Sequence, residues 1–327
     1  LRQSLASIHL SSSRVLRLLD DVLEMAQMET GTFVLETVPF NMESMLQRVC
    51  SPVAEQMEEK GITFSVHFFG NMNMWFAGDE YRLSPIMTNL LTNACKFTPH
   101  GGSVTLAINE LRRGGANGFV QLRVSDTGMG MSAAQVDTLF TAFEEKDRFV
   151  PGRFGGEGFG LAVSRKILER MKGSITVTSA PGRGTDFIVT LELPRVPGKD
   201  ADAAPSVFGL RILVADPDAE SRGVFAFLGA DGKNAVDTAE TGTETLRKIQ
   251  EAESSGVVHD AVFSAHYMGD MAAVDVPENL DFATVLRSVV LMAPIGRLCQ
   301  VDTEAYGVGI DSFISKPLFP SEIVKIL

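Results

Sequence analysis

The sequence of 327 residues is poor in cysteine, has fewer basic than acidic residues, and contains no long apolar run. Its three cysteines, Cys50, Cys95 and Cys299, are far apart, which excludes a CxxC metal-binding knuckle and argues against a disulfide framework. No stretch approaches the roughly 18 consecutive apolar residues that a membrane span requires. With 29 Lys and Arg against 41 Asp and Glu, the formal net charge is −12, so nucleic acid is not an expected partner.

These absences favour a cytoplasmic protein, because free cysteines suit a reducing compartment. Leu1 is not a natural start and no signal segment follows it, so we expect the chain to be a piece of something longer, with any membrane anchor outside it. The length exceeds the roughly 100–200 residues of an average domain, which predicts two or three folded units.

A heptad-like apolar pattern runs from Ile8 to Met28 and ends at Gly31, a residue suited to a left-handed helix stop. We interpret residues 1–31 as one helix of a bundle that forms a homodimer. A helix packed only on its own domain is the alternative, because three heptads are the minimum for a coiled-coil seam.

Helical and strand-like segments then alternate over residues 32–194, which predicts an α/β (α+β) sandwich with helices on one face of a sheet. The segment 195–207 is rich in proline, glycine and small residues and is predicted to be a linker. Residues 208–327 alternate β and α segments, which predicts a doubly wound parallel α/β domain. The predicted strands are Thr32–Leu35, Ile62–Phe68, Val104–Ile108, Val120–Ser125, Ile175–Thr178, Phe187–Leu193, Arg211–Ala215, Ala235–Thr238 and Ala261–Ser264, and the predicted helices are Met42–Lys60, Arg82–Phe97, Leu161–Met171, Ala219–Leu228 and Thr243–Ala252.

The first motif is the segment 89–98 (NLLTNACKFT), which follows the segment 79–83 (DEYRL). Two asparagines and a lysine share one face of the helix predicted there. Asn89, Asn93 and Lys96 are spaced i, i+4 and i+7. Amide oxygens are hard ligands that suit Mg²⁺, and a lysine neutralises a phosphate as a point charge. The spacing therefore indicates a metal and phosphate site.

Two glycine-rich turns supply further candidates. In 125–131 (SDTGMGM), Asp126 follows a strand and can accept a hydrogen bond from an exocyclic amine, while Gly128 and Gly130 let a flat base approach. Alone, this segment is also a plain β-turn. The segment 155–161 (GGEGFGL) opens a helix, where free N–H groups attract anions, yet it lacks the lysine of a Walker loop. A fourth segment, 182–187 (GRGTDF), starts the last strand of this region.

In this order and spacing, the four segments resemble the N, G1, G2 and G3 boxes of sensor histidine kinases, and the segment 139–143 resembles the intervening F box. The resemblance covers residues 1–194 and implies an ATP-binding domain of residues 32–194 with a lid near 144–155. It implies ATP and Mg²⁺ as cofactors, with Asn93 and Asn89 on the metal and Asn89, Asn93 and Lys96 as catalytic residues. The implied nucleotide contacts are Asn89, Asn93, Lys96, Asp126, Gly128, Gly130, Phe140, Gly156, Gly158, Gly160, Leu161 and Thr185.

The residue at position 89 separates two chemistries in the wider superfamily. Gyrase- and chaperone-type relatives that hydrolyse ATP place a glutamate there as the general base for water. Asn89 takes no proton, so we expect little intrinsic ATPase activity and favour phosphoryl transfer to a protein side chain. An ATP hydrolase is thereby disfavoured.

The expected phosphoacceptor histidine is missing. In the family it lies on the first helix of a dimeric helical hairpin, but the segment 25–31 (MAQMETG) resembles the end of the second hairpin helix, and His9 lacks the acceptor's sequence context. Either the chain begins after the acceptor helix, which we favour, or the protein is a degenerate kinase. The second case is a non-catalytic ATP-binding scaffold that acts by conformational switching.

The last third resembles response-regulator receiver domains, from 210–216 (LRILVAD) through 313–317 (FISKP). Asp216 and Lys316 match two functional positions of that family. Pro217 occupies the second acidic position, Ala265 the phosphoacceptor position, and Ala293 the hydroxyl position. Asp218, in a shifted register, and Asp260, at the start of its strand, are the alternative acids. We expect a regulatory pseudo-receiver in residues 208–327, which acts by docking or by binding another ligand.

Together, these resemblances predict the multidomain catalytic core of a hybrid sensor histidine kinase: a hairpin helix, an ATP-binding domain and a receiver-like domain. Such a protein transfers the γ-phosphoryl group of ATP to a histidine in two-component signalling. The implied partners are a second copy of the chain and a downstream response regulator or phosphotransfer protein.

Overall fold

The computed structural model describes residues 23–24, 26–28, 30–69, 74–112, 115–140, 160–199, 207–229, 232–275, 288–297, 310 and 312–327. Within these ranges the chain builds two five-stranded sheets, one before residue 195 and one after residue 210. We call the part from residue 30 to 199 the first unit and the part from residue 207 to 327 the second unit. No helix in the described ranges combines the length and apolar character that crossing a membrane requires.

The sheet of the first unit is mixed, with the order β2-β4-β5-β7-β6. Strands β2 and β4 are parallel, and the other three pairs are antiparallel. A separate antiparallel ribbon joins β1 to β3. The strands are β1 (Val38–Asn41), β2 (Thr63–Phe69), β3 (Trp75–Gly78), β4 (Ser103–Arg112), β5 (Asn117–Asp126), β6 (Ser174–Ser179) and β7 (Thr185–Pro194).

Helices cover one face of this sheet, as the sequence predicted. They are α1 (Met42–Glu59), α2 (Glu80–Phe97), the short α3 (Ala133–Thr138) and α4 (Gly160–Arg170). The predicted alternation of β7 is confirmed, because Phe187, Val189, Leu191 and Leu193 are all buried. They join one core with apolar residues of α1, α2 and α4, so burial of this stripe is what fixes the helices on the sheet.

The segment before α1 differs in part from the sequence prediction. Gly31 has φ +71°, which confirms the left-handed helix stop. The strand predicted at Thr32–Leu35 is wrong, because the first strand begins at Val38. The N–H groups of Thr32 and Phe33 instead donate to the carbonyl of Gln27, and the Phe33 ring lies 4.2 Å from the Arg82 guanidinium. Glu36 N–H donates to Asp79, so the end of the preceding helix and two side chains of α2 and its cap hold this segment rather than a neighbouring strand. Most of the predicted dimer helix lies outside the described residues.

The sheet of the second unit is parallel throughout, with the order β12-β11-β10-β8-β9, which confirms the predicted doubly wound arrangement. The single helix predicted at Ala219–Leu228 is two short helices, because Phe225 N–H closes a tight turn on Arg222 and its ring packs against Phe263. The strands are β8 (Arg211–Ala215), β9 (Ala235–Ala239), β10 (Ala261–Ala265), β11 (Val289–Pro294) and β12 (Ser312–Lys316). The helices are α5 (Ala219–Val224), α6 (Ala226–Gly229), α7 (Gly242–Ser254) and α8 (Pro320–Ile326), with a 3-10 turn at Ile295–Arg297.

Candidate nucleotide-binding site

Helix α2 positions the first group of candidate residues. The helix begins at an N-cap, Asp79, whose carboxylate accepts the N–H of Arg82 at 3.0 Å. Leu83, Met87 and Leu90 bury the opposite face in the core, which turns Asn89 and Asn93 toward the edge of the helix layer. The helix is therefore oriented by its apolar stripe and its cap, and the two amides follow from that orientation.

The two asparagines contact each other and the first residue of α4. Asn93 Nδ2 donates to Asn89 Oδ1 at 3.2 Å. A Cβ added to Gly160 would lie 2.9 Å from Asn89 Nδ2, so a side chain there would collide with the amide. The structure therefore brings the N and G2 segments together at this point, as the sequence predicted.

The amide nitrogen of Asn89 is a buried donor that has no hydrogen-bond partner within the described part of the chain. Leaving a buried donor unpaired costs about 1–3 kcal/mol. A bound polar ligand that accepts from this nitrogen would remove that cost. Asn89 is thus suited to a ligand that carries oxygen atoms, such as a phosphate.

Asp126 lies at the end of the central strand β5, opposite Thr185 in β7. Its Oδ1 accepts the N–H of Gly128 at 2.8 Å. Burial raises the pKa of this carboxyl above its ordinary value, although hydrogen bonds from the backbone of Gly128 and Thr185 oppose the rise. A half-buried carboxyl at a strand end, next to a glycine turn, is a suitable acceptor for the amine of a planar base.

The glycines after Asp126 are required by close backbone packing. Gly130 has φ +64°, and a Cβ there would lie 1.9 Å from the carbonyl oxygen of Ala180. A Cβ on Gly128 would lie 2.6 Å from the carbonyl oxygen of Phe97. The turn therefore sits directly on the end of α2 and on the turn before β7, and no other residue type fits at either position.

Ser179 is a residue that the sequence reasoning missed. Its hydroxyl accepts the N–H of Met131 at 2.9 Å, donates to the carbonyl of Gly184 at 2.8 Å, and lies 3.0 Å from the hydroxyl of Thr185. It thereby ties the G1 turn to the G3 turn. A lone serine at the end of a strand carries no motif that would have identified it.

The remaining candidate residues lie in other segments of the first unit. Phe140 and Leu161 are half-buried and pack against the core, and the Arg165 guanidinium lies 5.6 Å from the Phe140 ring. Lys96 is exposed, with its ammonium 5.0 Å from the Phe97 ring. Gly156 and Gly158 lie outside the described residues, as do the lid, Phe143 and His9.

Thr98 was also missed. It ends α2 directly after the NLLTNACKF segment, it is fully buried, and its hydroxyl has no hydrogen-bond partner within the described ranges. Met129, between the two glycines, exposes 66% of its surface. The Phe97 carbonyl, which precedes Thr98, meets the position of Gly128, so the unpaired hydroxyl and the exposed Met129 side chain adjoin the turn after Asp126. A site for a planar, polar-edged base provides such groups.

The second unit has a different centre, at the ends of β8, β10 and β12. Lys316 is ion-paired with the buried Asp216, and its ammonium lies 3.1 Å from the hydroxyl of Ser221. Ala265, at the end of β10, is 4% exposed. The structure therefore brings the three residues selected from the sequence into one region.

The carboxylate of Asp218 is engaged in capping its own helix. It caps α5 by accepting the N–H groups of Glu220 and Ser221 and the Ser221 hydroxyl. Burial raises the pKa of Asp218, but these hydrogen bonds outweigh it and hold the pKa below its ordinary value. The carboxylate thus serves the helix rather than a metal site.

Comparison with known proteins agrees with this geometry. Residues 78–195 match the family of histidine kinase-, DNA gyrase B- and HSP90-like ATPases. The chain is 34% identical to the sensor histidine kinase GacS of Pseudomonas protegens over 215 residues, which are 65% of this chain and 23% of that protein. It is 25% identical to the signal transduction histidine-protein kinase BarA of Escherichia coli K12 over an alignment of 333 positions, which covers all of this chain and 35% of that protein.

The chain therefore spans about a quarter to a third of the length of these relatives. Among solved structures, full-length ShkA in complex with AMPPNP has the same fold, with a TM-score of 0.69 and 22% identity over 99% of this chain and 64% of that one. Residues 78–195 thus form an ATP-binding domain of the histidine kinase-like class. The chain is a homologue of the hybrid sensor histidine kinases.

Proposed function

We propose that this chain is the ATP-binding catalytic part of a hybrid sensor histidine kinase and that it serves transfer of the γ-phosphoryl group of ATP to a histidine. The observation that carries the proposal is the contact between Asn89, Asn93 and Gly160. It sets two amides against the N-terminus of α4, and the residue at position 89 is itself an amide rather than a carboxylate. With no general base at position 89, water is not activated there, and the site favours transfer over hydrolysis.

Among the described residues, one group contacts the base of the nucleotide and another contacts its phosphates. Asp126, Gly128 and Gly130, with Thr185 opposite, hold the base, while Asn89, Asn93 and Lys96 hold the phosphates. Gly156, Gly158, Gly160, Leu161 and Phe140 belong to the same site by their motif. Asn93 and Asn89 supply amide oxygens for Mg²⁺, which when bound neutralises charge on the transferring phosphoryl group. The unpaired nitrogen of Asn89 supports this assignment.

The second unit is proposed to be a pseudo-receiver that regulates rather than accepts phosphate. A methyl group at Ala265 forms no phosphoester, and Asp218 and Asp216 are engaged by Ser221 and Lys316. The proposed domains are residues 1–31 for the dimerisation helix, 32–194 for ATP binding, 195–207 for the linker and 208–327 for the pseudo-receiver. The whole protein would act as a homodimer with a downstream response regulator or phosphotransfer protein.

Calorimetric titration of the purified chain with Mg-ATP tests the base site. Asp126→Asn keeps the shape but replaces a charge-assisted acceptor, and we expect at least about tenfold weaker binding, since hydrogen bonds to charged groups contribute about 1.5–3 kcal/mol. Asp137→Asn, at an exposed acid of α3, is the matched control and should bind like the parent. Equal affinity of both variants would contradict the assignment.

Autophosphorylation of the whole natural protein with labelled ATP separates the kinase from the non-catalytic scaffold. Acid-labile label on a histidine is the expected result. Intact ATP binding without any label would instead support a scaffold that acts by conformational switching, and rapid release of phosphate would favour a hydrolase.

A further inference from the structure

Three elements of the second unit contact the first unit, and all three follow the carboxyl ends of parallel strands. Helix α5 follows β8, the 3-10 turn Ile295–Arg297 follows β11, and α8 follows β12. We call this edge of the second sheet its pocket end, since Asp216, Lys316 and Ala265 lie there. In parallel sheets this edge is where ligands bind.

The first contact covers the face of the first sheet that carries no helices. Side chains alternate along a strand, so Ser65 and His67 point away from the core that holds Val66. Glu220 of α5 accepts the Ser65 hydroxyl at 2.6 Å and lies 3.0 Å from His67 Nε2 and 3.4 Å from the Thr105 hydroxyl. Ser65 is only 7% exposed as a result. The carboxylate of Glu220 thus contacts three polar side chains of β2 and β4.

The second contact completes a helix end. Helix α8 begins after Phe319, whose side chain cannot cap it. The carboxylate of Glu43, on α1 of the first unit, accepts the N–H of Ser321 at 2.7 Å instead. Glu43 is 5% exposed, and Phe319 is buried in the core of the first unit with its ring 5.8 Å from that of Phe68. A helix of the second unit therefore receives its N-cap from the first.

The third contact repeats this arrangement at the other end of α1. Glu58 accepts the N–H of Gly296 at 3.1 Å and lies 3.7 Å from the guanidinium of Arg297. Glu43 and Glu58, two of the four glutamates of α1, thus face backbone N–H groups at the starts of α8 and of the 3-10 turn. Buried donors and acceptors need partners, which makes the buried Glu43 contact specific, while the Glu58 contact lies at the surface.

The contacts also involve an edge strand. Strand β2 is at the end of its sheet, and edge strands present unpaired groups that natural proteins cover or charge. Here α5 of the second unit lies against side chains of β2 through Glu220.

We propose that the pocket end of the second unit is a docking surface for α1 and β2 of the first unit of the same chain. An edge that serves small ligands in related folds would here serve to hold the two units in one orientation. The inference does not depend on nucleotide binding or phosphoryl transfer, and its test needs neither.

Hydrogen exchange of the full chain, read by mass spectrometry over β2, tests the contact. Glu220→Lys places a cation against His67, and we expect exchange at β2 to accelerate about tenfold or more, since charge-assisted hydrogen bonds are lost. The double variant Glu220→Lys with His67→Glu restores an opposite-charge pair and should return most of the protection. Glu253→Lys changes the charge of the second unit equally at an exposed site and should leave β2 unchanged.

Cross-linking establishes which chain supplies the partner. In a Cys299→Ser background, cysteines at His67 and Glu220 are joined by a short bismaleimide, while Cys50 and Cys95 are buried and stay unlabelled. A cross-link within one chain is expected. Cross-linked dimers would overturn docking within one chain, and unchanged β2 exchange in Glu220→Lys together with no cross-link would overturn the docking itself.

Discussion

The candidate centres of the two units differ in whether their polar groups are paired. In the first unit, the amide nitrogen of Asn89 and the hydroxyl of Thr98 are buried and lack partners within the described residues. In the second, the corresponding centre is satisfied from within, because Lys316 pairs with Asp216 and Asp218 caps α5. Unpaired buried groups carry a free-energy cost that a ligand relieves, whereas paired groups gain little from one. This contrast separates a centre with unpaired buried groups from one whose polar groups already pair with each other.

The largest expected effect tests whether the second centre is structural. Lys316→Met leaves Asp216 buried without its cation, and removing one partner of a buried pair costs about 3–5 kcal/mol. We expect that loss in the free energy of unfolding of the second unit, measured by urea denaturation, while affinity for ATP is unchanged.

Lys233→Met is the control for this experiment. Lys233 is exposed and lies over the Phe208 ring, so its loss should cost about 1 kcal/mol or less. A Lys316→Met variant as stable as this control would mean that the Asp216 pair does not hold the second unit together.

An intermediate effect is expected at the nucleotide-binding site of the first unit, where a substitution should change ligand affinity rather than stability. Asn89→Leu removes an unpaired nitrogen together with the oxygen that accepts from Asn93, and one such hydrogen bond contributes about 0.5–1.5 kcal/mol, so the free energy of unfolding should fall by no more than about 1.5 kcal/mol. Affinity for Mg-ATP should nevertheless fall at least about tenfold in calorimetry. A large loss of stability with unchanged affinity would reverse the comparison and make Asn89 a structural residue.

The smallest expected effect is the pH dependence of stability that comes from Asp270, in the loop after β10. Asp270 accepts the N–H groups of Gly242 and Thr243 and the Thr243 hydroxyl, and these hydrogen bonds lower its pKa to about 2. Because the folded pKa lies below the usual value of about 3.9, the contribution to stability is present above about pH 4 and is lost as pH falls toward about 2.

NMR titration of the Asp270 carboxyl carbon checks this value. Thr243→Ala removes one of the hydrogen bonds and should move the midpoint upward. A midpoint at the ordinary value in the parent chain would mean that the acid at this loop is not engaged by α7.

The sequence predicted the elements whose signal is local. Helix α2 was recognised because its apolar positions repeat and its polar positions fall on one face, and β7 because its apolar residues alternate. The strand predicted at Thr32–Leu35 failed for a different reason. The N–H groups of Thr32 and Phe33 donate to the carbonyl of Gln27, and the Phe33 ring packs on Arg82, far along the chain. Local pattern gives no information on such partners.

In the candidate site, too, residues within motifs were predicted and residues defined by distant contacts were not. Asn89, Asn93, Asp126 and Gly160 were identified from motifs, and the structure brings the first two against Gly160. Ser179 and Thr98 were missed, because each is an isolated hydroxyl whose importance depends on which turn lies beside it. The division of α5 from α6 was missed for a related reason, since the packing of Phe225 against Phe263 is set by the fold.

The sequence by itself determined the class of protein, because four short segments in a fixed order indicate the ATP-binding domain. Ala265 and Pro217 are the sequence basis of the proposal that the second unit is a pseudo-receiver. Only the tertiary structure decided which polar groups are satisfied and which units touch. Glu43, Glu58 and Glu220 look like ordinary surface acids in sequence, yet each meets a donor of the other unit. The physical reason is that composition and spacing report a residue's own preferences, whereas burial and hydrogen bonding depend on what the folded chain places opposite it.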